Sequence, residues 1–183
     1  MAKQQEEEPL IAKGTQAGDP ADEGLWSAVC VEVHDLGEVE TTFKGQTKMV
    51  HKVLLGWEID NLDPKTKKRQ VAYRRFTLSV GSKANLYKFI NTWRGKPLTE
   101  DEMKGFDVKK LLGAPCQLQI VHFHKEDGSG VYANVDAALP LAKGMEKLAA
   151  SGEYVRMKDR DTYRSAPASK PAAATDPDDD LPF

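Results

Sequence analysis

Twelve Lys or Arg side chains stand against three acids, Glu58, Asp60 and Asp63, in residues 44–94. Such a concentration suits a polyanion and exceeds what solubility asks of a surface. The formal net charge of −2 hides it, because the ends are acidic. Residues 1–23 hold two basic and six acidic side chains, and residues 166–183 hold one and four. Residues 24–165 therefore carry 23 of the 26 basic and 18 of the 28 acidic groups. Other chemistries find less support. His122 and His124 share a strand face and invite zinc together with Cys30 or Cys116, but no paired Cys or His spacing accompanies them. Asp60 with Asp63, Glu126 with Asp127, and Glu100 to Glu102 fall in turns or at a helix start, where acids serve local hydrogen bonds. Gly95-Lys96 lacks the preceding phosphate-loop glycines, and no Gly-x-Ser-x-Gly is present. The expectation is a protein that is not an enzyme and that carries no metal or cofactor.

The elements that must position the cations belong to one domain, since 183 residues suffice for one core and flexible ends. The apolar runs are too short to span a membrane, and Glu6, Glu7 and Glu8 break any secretory leader. A soluble protein of a reducing compartment is expected, with Cys30 and Cys116 as small buried thiols. Residues 1–23 read as disordered, 24–150 as the folded domain, 151–177 as a flexible linker and 178–183 as an acidic tip. Period-two alternation predicts a strand over Leu25–His34 with Val29, Val31 and Val33 on one face. A second runs over Met49–Ile59 with Val53, Leu55, Trp57 and Ile59 together. The third, Gln70–Val80, sets Phe76, Leu78 and Val80 against Tyr73, Arg75, Thr77 and Ser79. A helix follows, capped by Ser82 and burying Leu86, Phe89, Ile90 and Trp93, and Gly95 and Pro97 close it. Thr99 to Glu102 resembles a capping box. Strands over Cys116–His124 and Val131–Val135 complete the domain, with a short helix expected over Lys143–Ala150. Trp57, Trp93, Phe76 and Phe89 are expected in the core.

Five strands with one helix between the third and fourth resemble the OB-fold, a small Greek-key barrel plugged by that helix. The stretch from Arg75-Phe76-Thr77-Leu78-Ser79 through Trp93-Arg94-Gly95-Lys96-Pro97, with Gly105-Phe106-Asp107 and Leu112-Gly113, is similar to bacteriophage-encoded single-stranded DNA-binding proteins. Asp178-Asp179-Asp180-Leu181-Pro182-Phe183 resembles the C-terminal tip of bacterial single-stranded DNA-binding proteins, with Leu181 where that tip usually has Ile. The fold class expected is thus mainly β, a five-stranded OB-type Greek-key barrel between disordered termini.

The resemblance implies a binding surface on the outer face of the second and third strands and the flanking loops, where cations track phosphates and rings stack on bases. Alternation then selects Lys52, Tyr73, Arg75 and Thr77, with Lys67, Lys68 and Arg69 in the hairpin and Phe43, Lys44 and Lys48 at the first loop. Phe123, Lys125 and Tyr132 join them at the last hairpin. Asp178, Asp179, Asp180, Leu181, Pro182 and Phe183 are the implied partner-binding residues. The implied function is single-stranded DNA binding without sequence preference in replication, recombination or repair, in the cytoplasm of a bacterial host. Replication or recombination proteins would be recruited through the tip, and a homo-oligomer is compatible with this. The rival reading is a protein-binding adaptor that imitates a host tip; salt-sensitive oligonucleotide binding separates the two.

Overall fold

The computed structural model describes residues 20–124, 126, 128 and 130–160. Five antiparallel strands form one sheet in the order β3-β2-β1-β4-β5. They are β1 (Gly24–Phe43), β2 (Gln46–Leu62), β3 (Arg69–Thr77), β4 (Pro115–His124) and β5 (Val131–Leu139). Helix α1 (Asn85–Arg94) and the short α2 (Glu100–Lys104) lie between β3 and β4. No helix among the described residues is long and apolar enough to cross a membrane.

The inner face carries Ala28, Cys30 and Val33 of β1, Val53, Leu55, Trp57 and Ile59 of β2, and Leu118, Ile120, Val135 and Ala138 of β4 and β5. Leu86, Phe89, Ile90 and Trp93 of α1 seal this core, as the helical stripe predicts. The Phe89 centroid lies 5.6 Å from that of Trp57 and 4.8 Å from that of Phe76, so the four expected core rings form one cluster. Both cysteines are buried; burial pushes the Cys30 thiol up to about 12 and the Cys116 thiol up as well.

Several sequence expectations are corrected. Strand β1 does not keep Val29, Val31 and Val33 on one face, because a bulge between Cys30 and Glu32 shifts the register. Val33 faces the core, while Val29, paired with Glu58, lies on the outer face. The first two strands run far past their predicted ends and form a two-stranded ribbon closed by Lys44-Gly45, both at positive φ (49° and 75°), a combination that suits the tight hairpin turn. Leu78 is exposed because β3 ends at Thr77. Ser82 does not cap α1; Ala84 occupies that position without a side-chain bond. Residues 143–150 are not helical. Ala21, expected in the disordered N-terminal segment, is buried in the core.

Candidate nucleic-acid interface

The β4–β5 hairpin brings two of the expected rings together. Phe123 and Tyr132 are cross-strand partners, and their rings stack with centroids 5.8 Å apart and planes 20° from parallel. Both stay exposed, at 41% and 39%, so the pair presents a flat aromatic surface to solvent. His122, one residue earlier, points the other way and bonds the Ala21 carbonyl oxygen through Nε2 at 2.7 Å. Among the described residues no group of three His, Cys, Asp or Glu is arranged to hold a metal ion. Lys125 lies outside the described residues.

The expected cations do not converge on one groove. Lys44 and Lys48 are exposed at the ribbon end of β2, beside Phe43, which closes the ribbon opposite Gln46. Lys67 and Lys68 are exposed in the turn at the other end of that 17-residue strand, on the order of 50 Å away along its contour. Asp63 builds this turn, accepting backbone N–H bonds from Lys65 and Thr66 on Oδ1 at 2.8 and 2.7 Å. Those donors, Thr66 first, hold its carboxyl below the usual range. Arg75 and Thr77 are exposed on the outer face of β3. Lys52, on the same face by register, is 7% exposed and withdrawn from any phosphate.

The largest departure concerns residues 149–160, which cross the outer face of the sheet as a strap instead of beginning a flexible linker. Two carboxylates there are nearly inaccessible, Glu32 at 0% and Glu58 at 2%. Buried carboxylates persist only where donors satisfy them, and the strap provides these donors. Glu58 accepts from Ser151 N at 2.8 Å and Ser151 Oγ at 2.6 Å. Glu32 accepts from Met157 N at 2.7 Å, Tyr154 OH at 3.0 Å and Arg156 Nε at 3.3 Å. Arg156 also donates to the Val33 carbonyl at 3.0 Å.

Two expected contact residues serve the strap. Arg69 Nη1 donates to the Ala149 carbonyl at 2.6 Å and lies 3.7 Å from Glu58. Tyr73 OH donates to Tyr154 OH at 3.1 Å, which in turn donates its hydrogen bond to Glu32. Burial, and then these two neighbours, push the Tyr154 hydroxyl well above its ordinary range, so it stays a donor. The Tyr73 ring crosses Gly56, where an added Cβ would lie 2.8 Å from it.

Sequence reasoning missed Glu32, Glu58, Ser151, Tyr154 and Arg156 as one cluster. The available signal was a lone acid, Glu32 or Glu58, inside the apolar stretch of each strand, residues 29–33 and 53–59. It also missed Arg74, which turns inward between Ala72 and Phe76. Its Nη1 donates to the carbonyls of Val135 and Asp136 at 2.8 and 2.6 Å, joining the two edge strands β3 and β5. Its guanidinium lies 4.9 Å from the Phe76 ring centroid. The partner-binding residues 178–183 lie outside the described residues. No protein-family model matches the chain, and no curated protein matches it.

Proposed function

We propose that the chain binds single-stranded DNA through an OB-type Greek-key barrel and recruits replication or recombination proteins through residues 178–183. Strand order and helix position support the barrel: β1 pairs with both β2 and β4, and α1 lies between β3 and β4. The Arg74 bonds to β5 draw the free edges of the sheet toward closure.

The observation that carries the binding reading is the exposed Phe123–Tyr132 stack. A core ring would be buried, and an exposed parallel pair offers the π-face that a splayed base uses whatever its identity. Exposed lysines at the two ends of β2 supply phosphate contacts at opposite ends of the sheet. Binding is therefore salt-sensitive and tolerant of sequence.

The test is fluorescence titration of the full chain with oligo-dT, comparing the unaltered protein with Phe123→Ala and Tyr132→Ala. Each substitution is expected to weaken binding by about 1–3 kcal/mol, with an unchanged urea midpoint. A loss under about 0.5 kcal/mol for both would return the pair to an ordinary surface role.

A further inference from the structure

The outer face of β1–β3 poses a question that the single-strand reading leaves open: whether a nucleic acid pushes the strap aside or lies on top of it. The donors on Glu32 and Glu58 decide between the two. Ser151, Tyr154, Arg156 and Met157 bring hydroxyl, guanidinium and backbone N–H groups to these carboxylates. A phosphodiester has acceptors only. In the strap's place it would set its own negative charge against two carboxylates that had just lost their donors, and like charges so juxtaposed oppose binding.

The strap, in contrast, offsets part of the negative charge it covers: Arg156, Lys158 and Arg160 against the exposed acids Glu153 and Asp159 leave it a net +1. Arg156 is used up on Glu32, but Lys158 is exposed. Arg160 is held ready: its Nε donates to the Val155 carbonyl at 2.9 Å, and its guanidinium lies 5.3 Å from the Tyr154 ring centroid. A stacked, hydrogen-bonded guanidinium loses little freedom when it takes a phosphate. Arg75, two residues beyond Tyr73 on the same face of β3, extends the cationic surface past the strap.

We infer that residues 149–160 are a fixed part of the nucleic-acid surface and that a single strand runs over them on Lys158 and Arg160, leaving the strap on the sheet. The inference rests on the single-strand reading above and assigns it phosphate contacts within the stretch that reads as a linker in the sequence.

The experiment uses the full chain and oligo-dT over a range of salt concentrations. Lys158→Gln with Arg160→Gln is expected to weaken binding and flatten the log–log salt dependence by about 1.4, from two phosphates at roughly 0.7 each. Tyr154→Ala with Arg156→Ala releases the strap, which faster tryptic cleavage at Lys147 and Lys158 verifies. This release is expected to weaken binding. An unchanged slope in the first variant overturns the inference, and so does tighter binding in the second, since that marks the strap as a cover the strand displaces. Absence of binding by the unaltered chain overturns the single-strand reading and the inference with it. Binding by the unaltered chain together with either contrary result overturns the inference alone.

Discussion

A Cβ at position 56 would lie 2.8 Å from the Tyr73 ring and 2.9 Å from Glu32 Cβ, so glycine is what lets that ring lie across β2 toward the strap. Gly56→Ala must push Tyr73 away and with it the hydroxyl that donates to Tyr154. Overpacking of this kind costs about 1–3 kcal/mol, which urea denaturation will read as a lower midpoint. Tryptic cleavage within residues 141–160 is expected to accelerate at the same time; an unchanged midpoint would show that the ring has another place to go. At this scale Tyr73 and Phe123 look alike in the sequence, since each is an outward ring on a strand in a basic neighbourhood. Their roles separate through Gly56 and Tyr154 on one side and Tyr132 on the other. No local pattern around Tyr73 announces a partner 81 residues away.

Among the elements, α2 draws its stability from charge more than from burial, having no buried residue. Its capping box joins Thr99 and Glu102. The Arg94 guanidinium 3.0 Å away, followed by the Thr99 N–H, holds the Glu102 carboxyl down at about 2. A carboxyl depressed in the folded state contributes stability that is full above its unfolded value and is lost as pH falls through the folded one. The window therefore runs from about 4.5 down to about 2. Glu102→Gln is expected to flatten the stability profile there and leave its shape above pH 6 unchanged, as checked by urea denaturation at a series of pH values. This box was legible in the sequence, as was the α1 stripe, because both are set by neighbours within one or two helical turns. The β1 bulge was not, since an inserted residue leaves the apolar composition of the strand intact while reversing its faces. The ribbon beyond His34 escaped because its alternation is among polar residues, and Lys-Gly is a weaker turn signal than Asn-Gly. The strap escaped because it is held by side-chain hydrogen bonds across the sheet and so has no periodicity of its own.

For the whole molecule, the separation of a basic middle from acidic ends ties the proposed DNA binding to the proposed recruitment. Deleting Asp178 to Phe183 is expected to abolish partner capture from nuclease-treated extract and leave oligonucleotide affinity equal or higher, most visibly at low salt where screening is least. Capture that survives the deletion would place recruitment elsewhere in the chain. The mainly β class and the order of the elements were legible because the inner-face alternation of β2 and β4 survives every local irregularity. The single continuous groove expected from the sequence does not form, because Lys44 and Lys48 end up at the opposite end of β2 from Lys67 and Lys68, and Arg69 is engaged by the strap. The central claim, that this chain neutralises the phosphates of a single strand, is tested most directly by the salt dependence of oligo-dT binding to the full-length protein. The account predicts that log K falls linearly with log salt, with a slope of about −0.7 for each phosphate engaged. Binding that is absent at low salt, or present with a slope near zero, would contradict it.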